Sequence, residues 1–89
     1  MTVIAMLKDG RLICATAIPR TPVASGAQAL SATVTDLRKV EWILAVQLGA
    51  DANVSVPVNG TSISGNAVGV TINPASGTTI SGNFITLGY

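Results

Sequence analysis

Apolar residues in this chain come in short runs separated by turn-forming residues, and nowhere in a long amphipathic repeat. The first two runs, residues 2–7 and 11–18, flank "KDGR". Asp9-Gly10 suits a two-residue type I′ turn, so "TVIAMLKDGRLICATAI" predicts a β-hairpin. Both of its strands are apolar on both faces, a pattern that calls for cover from a second layer or a neighbour. Residues 19–31, "PRTPVASGAQALS", break the pattern. Pro19 and Pro22 donate no ladder hydrogen bond and Ser25-Gly26 loosens the chain, so a long loop or arm is expected there.

The stretch 32–48, "ATVTDLRKVEWILAVQL", supports two periods. Val40, Trp42, Leu44, Val46 and Leu48 alternate with Glu41, Ile43, Ala45 and Gln47, a half-buried strand. Leu37, Val40, Leu44 and Leu48 also fit one face of a helix. The β-branched and aromatic residues at 40, 42, 43 and 46 favour the strand, with "TDLRK" as a bend before it. Trp42, the largest apolar group, is expected to anchor the core or an interface. "GADAN" (49–53) predicts a turn, and "VSVPV" (54–58) a short strand that Pro57 assigns to an edge.

The remainder is a near-repeat. "GTSISGNAV" and "GTTISGNFI" align at an offset of 17 residues. Each copy predicts a strand ending at Ile63 or Ile80, a tight turn in which Gly65 or Gly82 adopts strained angles, and a further apolar strand. With "NPASG" (73–77) reversing the chain between them, the tail is expected to be a four-stranded antiparallel meander. A β-helix rung is the alternative, but two copies are too few to bury their faces. "NFITLGY" sets Phe84, Thr86 and Gly88 against Ile85, Leu87 and Tyr89, and predicts a strand integral to the fold. The expectation is one all-β domain over residues 1–89, a small antiparallel β-sandwich or barrel-like unit of seven or eight strands with a C-terminal β-meander.

Composition narrows the function. A chain of 89 residues buries a thin core, and such domains are commonly reinforced by disulfides, metals or partners. One cysteine, Cys14, permits no internal disulfide, and there is no histidine. Charged residues make up 10% of the chain against about 25% in an average soluble domain. Residues 52–89 carry none, and a neutral, strand-rich surface favours association.

The same inventory argues against chemistry. General acid–base work needs histidine or tuned carboxylates, and Asp9, Asp36, Glu41 and Asp51 are scattered. Cys14 sits in mid-strand and is expected to be buried and inert. Ser64, Asn66, Ser81 and Asn83 are expected to be turn residues with no ligand role. The sequence therefore predicts no enzyme, no catalytic, cofactor-binding or metal-binding residues, and no cofactor. Arg38-Lys39, the lone basic pair, is flanked by Asp36 and Glu41, so no nucleic-acid footprint is expected. No apolar run approaches a membrane span, and "TVIAML" is too short for a signal-peptide core. The expected partners are copies of the chain itself, with no membrane.

"TDLRKVEWILAV", "ISGNAVGVTI" and the terminal "ISGNFITLGY" together resemble the small structural proteins of tailed bacteriophage particles, over about residues 33–89. The resemblance is one of pattern and transfers no catalytic or ligand residue. It implies a virion component assembled in the host cytoplasm, in the first place a capsid cement or decoration protein contacting a major capsid or other virion protein. Tail or fibre component is the alternative, and a stand-alone β-sandwich ligand-binding module the alternative of another class. Residues 19–31 and the neutral strands of 54–89 are the expected interfaces.

Overall fold

The computed structural model describes residues 2–51 and 54–89. It contains seven strands: β1 (Thr2–Met6), β2 (Leu12–Val23), β3 (Gln28–Thr33), β4 (Val40–Ala50), β5 (Val58–Ser64), β6 (Ala67–Ile72) and β7 (Thr78–Gly88). They form two packed antiparallel sheets, one in the order β1-β2-β7-β4 and the other β3-β6-β5. The fold is all-β, a small sandwich, as the short apolar runs predict. β3 lies against β2 and β5 against β4, so the four-stranded sheet overhangs its partner at β1.

Period-two alternation drives the core. On β7, Ile80, Phe84, Thr86 and Gly88 are buried, and Ile85 and Leu87 face out half-buried. Cys14 and Ile18 of β2, Val68, Val70 and Ile72 of β6, and Val34, Leu37 and Val40 close around Phe84 and Ile80. β7 pairs with β2 from Leu12↔Gly88 to Val23↔Thr78, and with β4 from Val40↔Gly88 to Ala50↔Ile80. The expected integral C-terminal strand is therefore the central strand of the larger sheet.

Residues 19–31, expected as a loop or arm, are instead strand: β2 continues to Val23, four residues bend, and β3 begins at Gln28. The prolines fit because β1 reaches along β2 only as far as Ala15. Beyond it β2 has one neighbour, and a proline on the open side breaks no ladder. Pro19 and Arg20 occupy the register shift between Ile18 and Thr21, a bulge that absorbs the missing donor.

The first hairpin forms, but its turn is not type I′. Asp9 keeps a negative φ and only Gly10 is positive, at 91°. The Gly10 amide donates to Leu7 O and the Leu7 amide to Arg11 O, a three-residue loop closed by a glycine bulge. The Asp9 carboxylate accepts from the Arg11 amide and side chain, which stabilises the wider loop.

In the tail, only the first copy of the repeat is a hairpin. β5 and β6 pair, but β7 crosses to the other sheet, so the four-stranded meander does not form. "VSVPV" contributes only Val58 to a strand; Ser55 and Pro57 accept hydrogen bonds from the amides of Ala75 and Asn73. Of the expected "GADAN" turn, Gly49 and Ala50 belong to β4, Asp51 is a bend, and residues 52 and 53 lie outside the described residues.

Candidate functional site

The two copies of "ISGN" do different work. In the first, Gly65 (φ 61°) and Asn66, whose φ is negative, link Ser64 to Ala67, the signature of a type II′ turn. This turn is also a clamp. Asn66 O accepts from the Val34 amide, Asn66 Nδ2 donates to Leu37 O at 3.2 Å, and Gly65 O accepts from the Val40 amide. It thus fixes the 34–37 bend and the start of β4. In the second copy, Ser81, Gly82 and Asn83 lie within β7, and Gly82 has no positive φ. A Cβ at Gly82 would stand 1.7 Å from Gln47 O, so glycine is required there by close backbone approach. Gly88 is held likewise, with its Cβ position 2.1 Å from Lys39 O.

Five charged residues, Asp9, Arg11, Arg20, Glu41 and Asp51, form ion pairs. Arg20 donates to both Asp51 carboxylate oxygens, and these hydrogen bonds hold the Asp51 carboxyl below its ordinary range while raising Arg20. Arg11 pairs with Asp9, whose carboxyl is lowered chiefly by the hydrogen bond from the Arg11 amide, and lies 3.8 Å from Glu41 Oε1. Arg20–Asp51 and Arg11–Glu41 each connect β2 or its leading turn with β4, one pair towards each end of the intervening, uncharged β7. Cys14 is buried; desolvation pushes its thiol up, and the charge of Asp36 adds to this, so the thiolate is disfavoured. Among the described residues no three His, Cys, Asp or Glu side chains gather where they could hold a metal.

Several large apolar side chains are presented outward. Val3, Ile4 and Met6 are exposed on the overhanging β1, Trp42 and Leu44 on β4, and Val58 and Ile63 on β5. Trp42, expected in the core or an interface, is 63% exposed and is no part of this chain's core. The reason is register. Bulges between Val40 and Trp42 and between Ile43 and Ala45 shift the alternation, so Ile43, Val46 and Leu48 take the inward positions. Trp42 instead aligns with Leu87, itself aligned with Ile13, in an apolar row on the outer face of the larger sheet.

Of the expected interface segments, 19–31 lies within β2, β3 and the bend between them, while 54–89 divides. β6 and β7 build the core, and every residue of β5 is exposed. The exposure of β4 and β1 was not readable from alternation, because bulges leave no signature in a run that is apolar throughout. An open groove of about 430 Å³ sits where β2, β7 and β4 meet, lined by Ala17, Gln47, Gly49, Ser81, Gly82 and Asn83. No family model, curated protein or solved structure matches this chain.

Proposed function

We propose that this chain is a non-enzymatic structural protein of a virus particle that works by packing against neighbours, in the first place as a capsid cement or decoration protein. The observation that carries the reading is the distribution of large apolar side chains. Val3, Ile4, Met6, Trp42, Leu44, Val58 and Ile63 stand exposed on three of the four edge strands of an 89-residue sandwich. Monomers seldom leave so many large apolar side chains open on their sheet edges, and burial against other subunits stabilises them by about 25 cal/mol per Å². The phage-like pattern over residues 33–89 supplies the class of assembly. An antibody against this chain, applied to density-purified particles from the source lysate, should detect it at a stoichiometric level on shells. Its confinement to tails or fibres would select that alternative, and its absence from particles would overturn the reading.

The groove beside Gln47, Ser81 and Asn83 favours one second reading, a ligand-binding β-sandwich module, since it pairs small apolar residues with amide and hydroxyl groups. A binding screen of the parent and its Asn83→Ala variant against a glycan library would separate the two: a parent that binds a glycan, and a variant that does not, supports the module.

A further inference from the structure

We infer that β5 is a self-pairing edge, and that a second copy of the chain docks its own β5 antiparallel along it. This rests on the assembly reading above and names the surface and partner for it. All seven residues of β5, Val58–Ser64, are exposed, including Val58, Thr61 and Ile63, which align with the buried Ile72, Val70 and Val68 of β6. Their side chains point to the inner side of the sheet, where the facing sheet leaves them uncovered. An edge strand offers one row of backbone donors and acceptors, and its natural occupant is another extended strand.

Natural edges are protected by charge, proline or bulges, and the four edges here differ in this respect. β1 has a bulge between Val3 and Ala5 and leads into Lys8 and Asp9. β4 has two bulges and carries Glu41. β5 follows Pro57 and shifts register only between Val58 and Gly60, so its protection is confined to its first residues; from Gly60 to Ser64 it pairs without interruption and carries no charge or proline. β3 is also uncharged and unbulged, but its exposed positions Ala29, Ser31 and Thr33 are small, whereas β5 adds Val58 and Ile63.

Strand direction decides between the two possible partners. β3, β6 and β5 alternate in direction, so β3 and β5 run the same way. Adding the β5 of one copy to the β3 of the next by continuing the sheet would be parallel, the weaker pairing, and would not close. A twofold axis normal to the sheet sets β5 against β5 antiparallel and closes at a dimer. Centred on Ser62, it brings Ile63 of each copy opposite Thr61 of the other, so the uncovered inner positions cover one another. With no charge on the strand, no like charges meet.

The test is the native mass by sedimentation of the full chain and of Ser62→Lys, Ser62→Glu and Ala29→Lys, with circular dichroism confirming that each is folded. Ser62 is exposed, so a long side chain is tolerated by the monomer. We expect a species of twice the 9.0 kDa protomer mass for the parent and for Ala29→Lys. Each Ser62 variant should dimerise at least about tenfold more weakly, because its new charges face one another. Mixing the lysine and glutamate variants should restore the dimer. A folded Ser62→Lys that assembles like the parent overturns this inference and leaves the assembly reading standing on another surface. Loss of assembly in Ala29→Lys alone assigns the contact to β3. A parent that stays monomeric overturns the inference, and detection of that same chain on particles would still uphold the structural role.

Discussion

Glycine carries two distinct meanings in this chain, and they predict different costs. Gly65 needs its positive φ, and Gly65→Ala should cost about 1–2 kcal/mol, the usual penalty for an L-residue in that region. Gly82 has ordinary strand geometry but no room, and Gly82→Ala should cost about 3 kcal/mol or more, since a methyl would displace the β4 backbone at Gln47. Urea titration of both variants gives the order; equal costs would mean that β4 and β7 do not approach as closely as described. Trp42 shows the converse. At 63% exposure its truncation leaves no cavity, and Trp42→Ala should change the stability of the separate protomer by no more than about 0.5 kcal/mol. A loss near the 3–5 kcal/mol of a core aromatic, measured in the dilute protomer, would restore the unbulged register.

At the level of elements, most strands were legible because alternation survives wherever one face is buried. β7 shows this best: the alternation of Phe84, Thr86 and Gly88 with Ile85 and Leu87 is present, the first set buried and the second half-buried, while the Tyr89 ring, expected to be buried, is exposed. The misreadings share a cause, which is that the same residues serve unlike neighbours. Pro19 and Pro22 read as breakers because nothing local says that β1 stops at Ala15. The second "ISGN" reads as a turn because Gln47, the reason for its glycine, is far away in sequence. β7 also bears the sharpest element-level prediction. It pairs on both sides, so deleting residues 85–89 unpairs β2 and β4 together. The product should be insoluble or lack a cooperative thermal transition, whereas a soluble product with the parent melting temperature would contradict a central β7.

At the scale of the whole molecule, ion pairs tie β2 and its leading turn to β4 across the uncharged β7. Arg20–Asp51 joins strands that flank an uncharged one, and it is solvent-exposed, so its effect on stability is small. Its sign is nevertheless fixed. The Asp51 carboxyl titrates below its ordinary value of 3.8 in the folded chain, so its stabilisation is present above that pH and is lost as the pH falls below it. Asp51→Asn should therefore lower the melting temperature slightly at neutral pH and converge with the parent in strong acid. A gap that widens on acidification would refute the pairing. The candidate interface was half legible: neutrality of residues 52–89 marked β5, but it equally marked β6 and β7, which lie inside.

The position of β7 has a consequence in time. In the smaller sheet β5 and β6 meet through a two-residue turn, while β3 reaches β6 from beyond β4 and β5. That sheet thus has one local pair to start from. In the larger sheet only β1 and β2 form such a pair. Its middle strand is the seventh in chain order, and Leu12 must wait for Gly88. Closing so long a loop costs entropy before any contact repays it, so folding should be slow and the transition state late. Before β7 is made, β2 has only β1 beside it and β4 has no neighbour in its sheet, which leaves a gap of one strand between them. Until that strand leaves the ribosome, any other extended segment of suitable pattern competes for the gap, and the chain at that stage depends on its own C-terminal residues, or on a chaperone, to be filled correctly.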